Sequence, residues 1–195
     1  MGRIKSALEI ALEKTESVKS DKESISHFQA KQTGKKLANS FLESGEVSLE
    51  AEIKKASKTE QAHLKQGMFD VLVSQINLPA AKEDEKRIAQ IGKGLSALIN
   101  KNQFNQLYGQ FMQLVTRYLD EYEQLEKAII QQYTPKLRQK EEEIFQRLGQ
   151  RVKLEFSQDP EFVTFYNQNI NMLKEKYQAV IEDVREQVNM FFTSQ

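Results

Sequence analysis

Glu60-Gln-Ala-His63 is the stretch that comes nearest to a metal-ligand motif. Helical side chains three residues apart share a face, so an E-x-x-H pair can direct a carboxylate and an imidazole at one ion, as in carboxylate-bridged helical bundles. A di-iron centre needs a second such pair and two further carboxylates. The other histidine, His27, has Ser24 where its glutamate should stand, and Glu23 lies one residue too far. Leu64, Met68, Leu72 and Ile76 define the apolar face of the same helix, which turns His63 towards Gly67 and Asp70 and predicts a solvent-facing ring. Glu60 and His63 are therefore the candidate metal ligands, set against a preferred reading with no metal and no cofactor.

Other chemistries fare no better. Thr33-Gly34-Lys35-Lys36 and Gly92-Lys93-Gly94 superficially resemble phosphate loops, but a G-x-x-x-x-G-K-[ST] motif around Gly34-Lys35 would need glycine at Gln29 and a hydroxyl at Lys36. Both read as helix interruptions. No nucleophile elbow accompanies the two histidines, so no catalytic residue is assigned and the expectation leans away from an enzyme. Asp120, Glu121, Glu123, Glu126 and Glu141 to Glu143 are spaced as solvated helix faces, within reach of Arg117, Lys127, Lys136, Arg138 and Lys140 for ordinary ion pairs. Phe104, Tyr108, Phe111, Tyr118 and Tyr122 could stack on bases, yet their spacing assigns them first to a buried seam. Lys35, Lys36, Lys54, Lys55 and Lys58 form the one basic cluster to weigh for nucleic acid.

Composition points the same way. The 28 basic and 28 acidic side chains cancel, so no whole-chain field draws the protein to nucleic acid or an anionic bilayer. With no cysteine, thiol catalysis and thiolate zinc sites are excluded, and a reducing cytoplasm is the expected setting. No window carries the ~18 uninterrupted apolar residues of a membrane span.

The elements that must position these residues are all helical, because no segment alternates in period two between turn residues. Ile4, Ala7, Leu8, Ala11, Leu12 and Thr15 predict an opening amphipathic helix, closed by a polar break over Lys19 to Glu23. A second helix follows from Ser24, carrying Ile25, Phe28, Leu37, Phe41 and Leu42, weakened by Gly34 and ended by Gly45. Ser48 and Thr59 start two more, Pro79 ends the latter, and Asp84 to Ile99 forms another, with Gly92 and Gly94 marking a kink or a close contact. From Phe104 to Ile129 apolar residues alternate in steps of four and three, and a slower repeat continues through Tyr133, Leu137, Ile144, Leu148 and Val152. Pro135 predicts a kink or a break in this helix, which otherwise runs to Glu155. Asp159 as N-cap and Pro160 at the first helical position open a last helix, with Phe162, Tyr166, Ile170, Leu173, Tyr177, Ile181, Val184, Val188 and Phe192 on one face. The predicted fold is all-α: shorter helices in 1–100, then an elongated antiparallel hairpin with coiled-coil-like packing in 101–195, with one core shared by the two as an open alternative.

Gly2-Arg-Ile-Lys-Ser-Ala-Leu-Glu-Ile-Ala11 resembles the start of an uncharacterised bacterial all-helical family, which implies a bacterial cytoplasmic protein and no transferable activity. Gly2 and Ser6 also fit the loose acylation pattern, but Glu9, Glu13 and Glu16 remove the polybasic second signal a lone acyl chain needs, so the block reads as structure. The functional expectation is a non-enzymatic interaction or scaffolding protein that binds a protein partner or itself, with neither nucleic acid nor membrane. The alternatives are a helical-bundle ligand or metal binder and a chaperone-like clamp.

Overall fold

A computed structural model describes the backbone of residues 7–99 and 102–194 and the side chains of 23–99 and 102–194. Gly2, Ser6 and the side chains of Ile4, Leu8, Ala11 and Leu12 lie outside the described set. The elements are α1 (Ala7–Ser44), α2 (Leu49–Lys55), α3 (Lys58–Ser74), α4 (Asp84–Leu98), α5 (Asn102–Leu148), a 3₁₀ turn at Phe156–Gln158, and α6 (Pro160–Thr193). The protein is all-α, with no strand among the described residues.

The break expected over Lys19 to Glu23 does not occur, since α1 is continuous there and through Gly34. Of the kink or break expected at Pro135, the break is absent, because α5 runs through it as one helix. A polar run such as Lys19 to Glu23 contains no helix breaker, so polarity alone does not stop the backbone ladder. Pro135 is exposed, which leaves the carbonyl freed one turn earlier open to water. One break was missed: α5 stops at Leu148, not Glu155, because Gly149 adopts φ +67° and its N–H closes on the Phe145 carbonyl at 2.8 Å. Gly45 ends α1 in the same way, at φ +71° and 2.9 Å from the Phe41 carbonyl.

The chain forms two compact units: 1–76 with 89–104 and 191–195, and 77–88 with 105–190. In the first, α1 and α3 advance in the same direction. Ser26 meets Glu60, His27 meets His63, and Lys31 pairs with Asp70 at 2.8 Å. The short α2, capped by the Ser48 hydroxyl on the Ala51 N–H at 3.3 Å, joins one helix to the other. Gly34 and Gly67 explain the tight approach, since a Cβ on Gly34 would lie 2.1 Å from the Leu64 carbonyl oxygen and one on Gly67 2.0 Å from that of Lys31. Only hydrogen fits at either place. The α4 residue Gln90 donates to the Phe41 carbonyl, and Phe69 stacks on Phe192 at 3.9 Å. Buried Met68, Leu72, Ile76, Ile91 and Leu95 fill the core of this unit.

In the second unit α5 and α6 run antiparallel. Tyr118 meets Tyr177, Glu121 pairs with Lys176, Tyr122 meets Tyr166, and Tyr133 packs on Phe162, so partners descend α5 as they ascend α6. Buried Val115, Tyr118, Ile129, Tyr133 and Leu137 face Phe162, Ile170, Tyr177, Ile181 and Val184, as the apolar periodicity of both segments demands. The 77–88 segment is tied to α5 by the Tyr108 hydroxyl on the Ile88 carbonyl at 2.7 Å and by Lys82 with Glu123 at 2.6 Å.

Candidate interaction site

Glu60 and His63 do come together with His27, though not as free ligands. The Glu60 carboxylate accepts from the Ser57 hydroxyl at 2.7 Å and the Ser26 hydroxyl at 3.1 Å, and these bonds, Ser57 first, hold its pKa below the usual glutamate value. His63 is half-buried and stacked on His27, with ring centroids 3.9 Å apart. The expected solvent-facing ring is thus corrected: α1 lies along that face of α3, brought there by the Gly34 and Gly67 contact. Among the described residues no group of three or more His, Asp or Glu is arranged so that it could hold a metal ion.

The acidic run of α5 is taken up by cations. Lys176 and Arg117 hold Glu121, and Lys127 and Lys82 hold Glu123, so both carboxylates are pushed down to about 2. Of the five aromatics of the stacking alternative, Phe104, Tyr108, Phe111 and Tyr118 are buried and Tyr122 is half-buried. In the basic cluster, Lys55 pairs with Glu52 at 2.7 Å.

The most developed polar site closes the α5/α6 pair. Asp159 is buried, and its carboxylate accepts from Lys140 at 2.7 and 2.9 Å, from the Tyr133 hydroxyl at 3.0 Å and from the Glu161 N–H at 3.0 Å. It is both N-cap of α6 and counter-ion of α5. Lys140 also reaches Glu161 at 2.6 Å, and Lys136 pairs with the same oxygen at 3.1 Å. The Lys140 ammonium holds the Asp159 carboxyl below the usual aspartate range despite burial, and Asp159, then Glu161, raise the Lys140 value in return. With every group at the centre satisfied, the network fixes the angle at which α6 leaves the connection.

That rigid corner borders a groove of about 400 Å³, floored by Ile130, Phe156, Phe162, Val163 and Tyr166 and edged by Glu126 and Glu155. Ile130 and Val163 are 38% and 39% exposed, and with Phe156 and Tyr166 they make one contiguous apolar lining. Tyr166 donates to Glu126 at 2.9 Å and takes a hydrogen bond from Tyr122 at 3.0 Å, so its ring is held upright. Burial, then these two partners, raise its pKa and keep the phenol protonated. The floor is preformed and its charged edge is acidic.

Sequence reasoning placed Leu148 and Val152 on the buried seam. They are 69% and 41% exposed, because Gly149 ends α5 before the seam reaches them. They sit among Arg147, Arg151 and Lys153, all exposed. Gly149 four residues after Phe145 was the signal for this tip; the helical periodicity continuing past it masked the stop.

A family of unknown function (DUF6657) matches residues 50–190, a span that leaves out the block from Gly2 to Ala11. No curated protein and no solved structure matches the chain.

Proposed function

The chain belongs to this family of unknown function, and since membership carries no activity, we propose from its own residues that it is a non-enzymatic helical interaction protein. Its docking site is the groove between α5 and α6. The observation that carries this reading is a preformed apolar floor left open beside a fully satisfied polar corner, which spends no conformational entropy on ordering when a partner arrives. The α5/α6 pair is read as a coiled-coil-like hairpin that presents this groove at its closed end. A cytoplasmic setting belongs to the same reading, supported by a chain of 195 residues without one cysteine.

A photo-crosslinking residue placed at Val163, in cells that make the protein, tests the proposal. Met172 is the comparison: it is 62% exposed and nine residues on, half a helical rotation away. Discrete adducts from position 163 and none from 172 are expected. Adducts from neither position, or from 172 alone, overturn the assignment.

A further inference from the structure

The same closed end carries two surfaces that complement each other. The groove has a branched apolar and aromatic floor with Glu126 and Glu155 at its edge and no basic residue in its lining. A few residues away the tip projects Leu148 and Val152, the former the most exposed large apolar side chain described, flanked by Arg147, Arg151 and Lys153. Arg151 rests over the Phe145 ring at 5.5 Å, and Arg147, Lys153 and Glu155 make no ion pair among the described residues. One surface is a cationic apolar knob and the other an anionic apolar hole.

We propose that the occupant of the groove is a second copy of this chain: Leu148 and Val152 of one protomer enter the groove of its partner, with Arg151 and Lys153 against the partner's acidic edge. This rests on the groove being a docking site, as proposed above. Because knob and hole lie on the same tip, two copies related by a two-fold axis exchange them reciprocally, and the contact closes as a dimer instead of growing into a filament. A contact confined to two tips falls below the ~1,200 Å² of a standard stable interface, so the dimer is expected to be weak, concentration-dependent and sensitive to salt.

Sedimentation velocity on the full chain tests this with charge reversals. Glu155→Lys alters the hole, and the double change Arg151→Glu with Lys153→Glu alters the knob. All these side chains are exposed, and unchanged helical circular dichroism and melting verify that both variants fold. Wild type is expected to shift from monomer to dimer as concentration rises and back as salt is added. Each variant alone should dimerise at least tenfold more weakly, since its knob and hole now repel. Mixing the two restores opposite charge at both contacts, and a mixed dimer near wild-type strength is the expected result. A dimer indifferent to all three reversals, or a wild type that stays monomeric at every concentration, overturns the proposal. The Val163 crosslink separates this failure from failure of the wider reading: an adduct with a different protein leaves the docking site standing and removes self-association, while no adduct removes both.

Discussion

Removing the Asp159 carboxylate separates its two contributions. Asp159→Ala loses the cap and the buried counter-ion together and is expected to cost about 2–4 kcal/mol, read from urea melts. Asp159→Asn should cost less, because an amide still caps the Glu161 N–H. The pH dependence follows from the depressed carboxyl values. Asp159, Glu121 and Glu123 are all more acidic in the folded chain, so their contributions are complete above the unfolded values and fade as pH falls through the folded ones. For the two glutamates that window runs from 4.5 down to about 2. The Glu123 side chain is 41% exposed, so salt should remove most of its share, while the buried Asp159 pair resists screening. Acid titration of the melting temperature at low and high salt reads both effects. Tyr118 gives the opposite case. Its hydroxyl is buried without a hydrogen-bond partner among the described residues, and burial raises its pKa. Tyr118→Phe is therefore expected to be neutral or to stabilise by up to about 1 kcal/mol. A clear loss of stability on that change would show that the hydroxyl has a partner.

At the scale of elements, periodicity is a good guide to which segments are helices and a poor guide to where they stop; it marks the buried faces of α4 to α6 but fails at the start of the second segment, where Ile25 and Phe28 are 56% and 64% exposed. Ile88, Ile91 and Leu95 are buried as their spacing requires, as are Phe162, Ile170, Tyr177, Ile181, Val184 and Val188 of α6, while Tyr166 and Leu173 of the same series are half-buried. Ser48, Asp159 and Pro160 mark true starts because capping is local chemistry, visible in a few residues. Gly34 misled for the converse reason: read alone it weakens a helix, but its role is to let the α3 backbone approach, which depends on Gly67 more than thirty residues away. Gly67→Ala is accordingly expected to cost about 3 kcal/mol, at the upper end for overpacking, since a backbone oxygen cannot step aside as a side chain can. Pro135 supplies the reverse prediction. It occupies an exposed position inside the continuous α5, so Pro135→Ala restores a backbone hydrogen bond and should stabilise by about 1–3 kcal/mol. Thermal melts of the two variants should move in opposite directions.

For the whole molecule, the surfaces that matter were the least legible in the sequence. The groove joins Ile130 of α5, Phe156 of the connection and Val163 of α6, positions brought together only by the antiparallel pairing. The knob arises because one glycine releases Leu148 and Val152 from a pattern that would have buried them. Zero net charge had argued against any strong partner field, yet the tip concentrates three cations on one surface and two carboxylates on the next. Cancellation over the chain hides complementarity at the scale of a contact. The most direct measurement follows the side-chain methyl signals of the wild-type chain as its concentration is raised. Ile130, Val163, Leu148 and Val152 should shift together along one binding curve while Met172 and Met190 stay still. Invariant signals at the first four, or shifts at Met172 and Met190 in their place, would contradict the account.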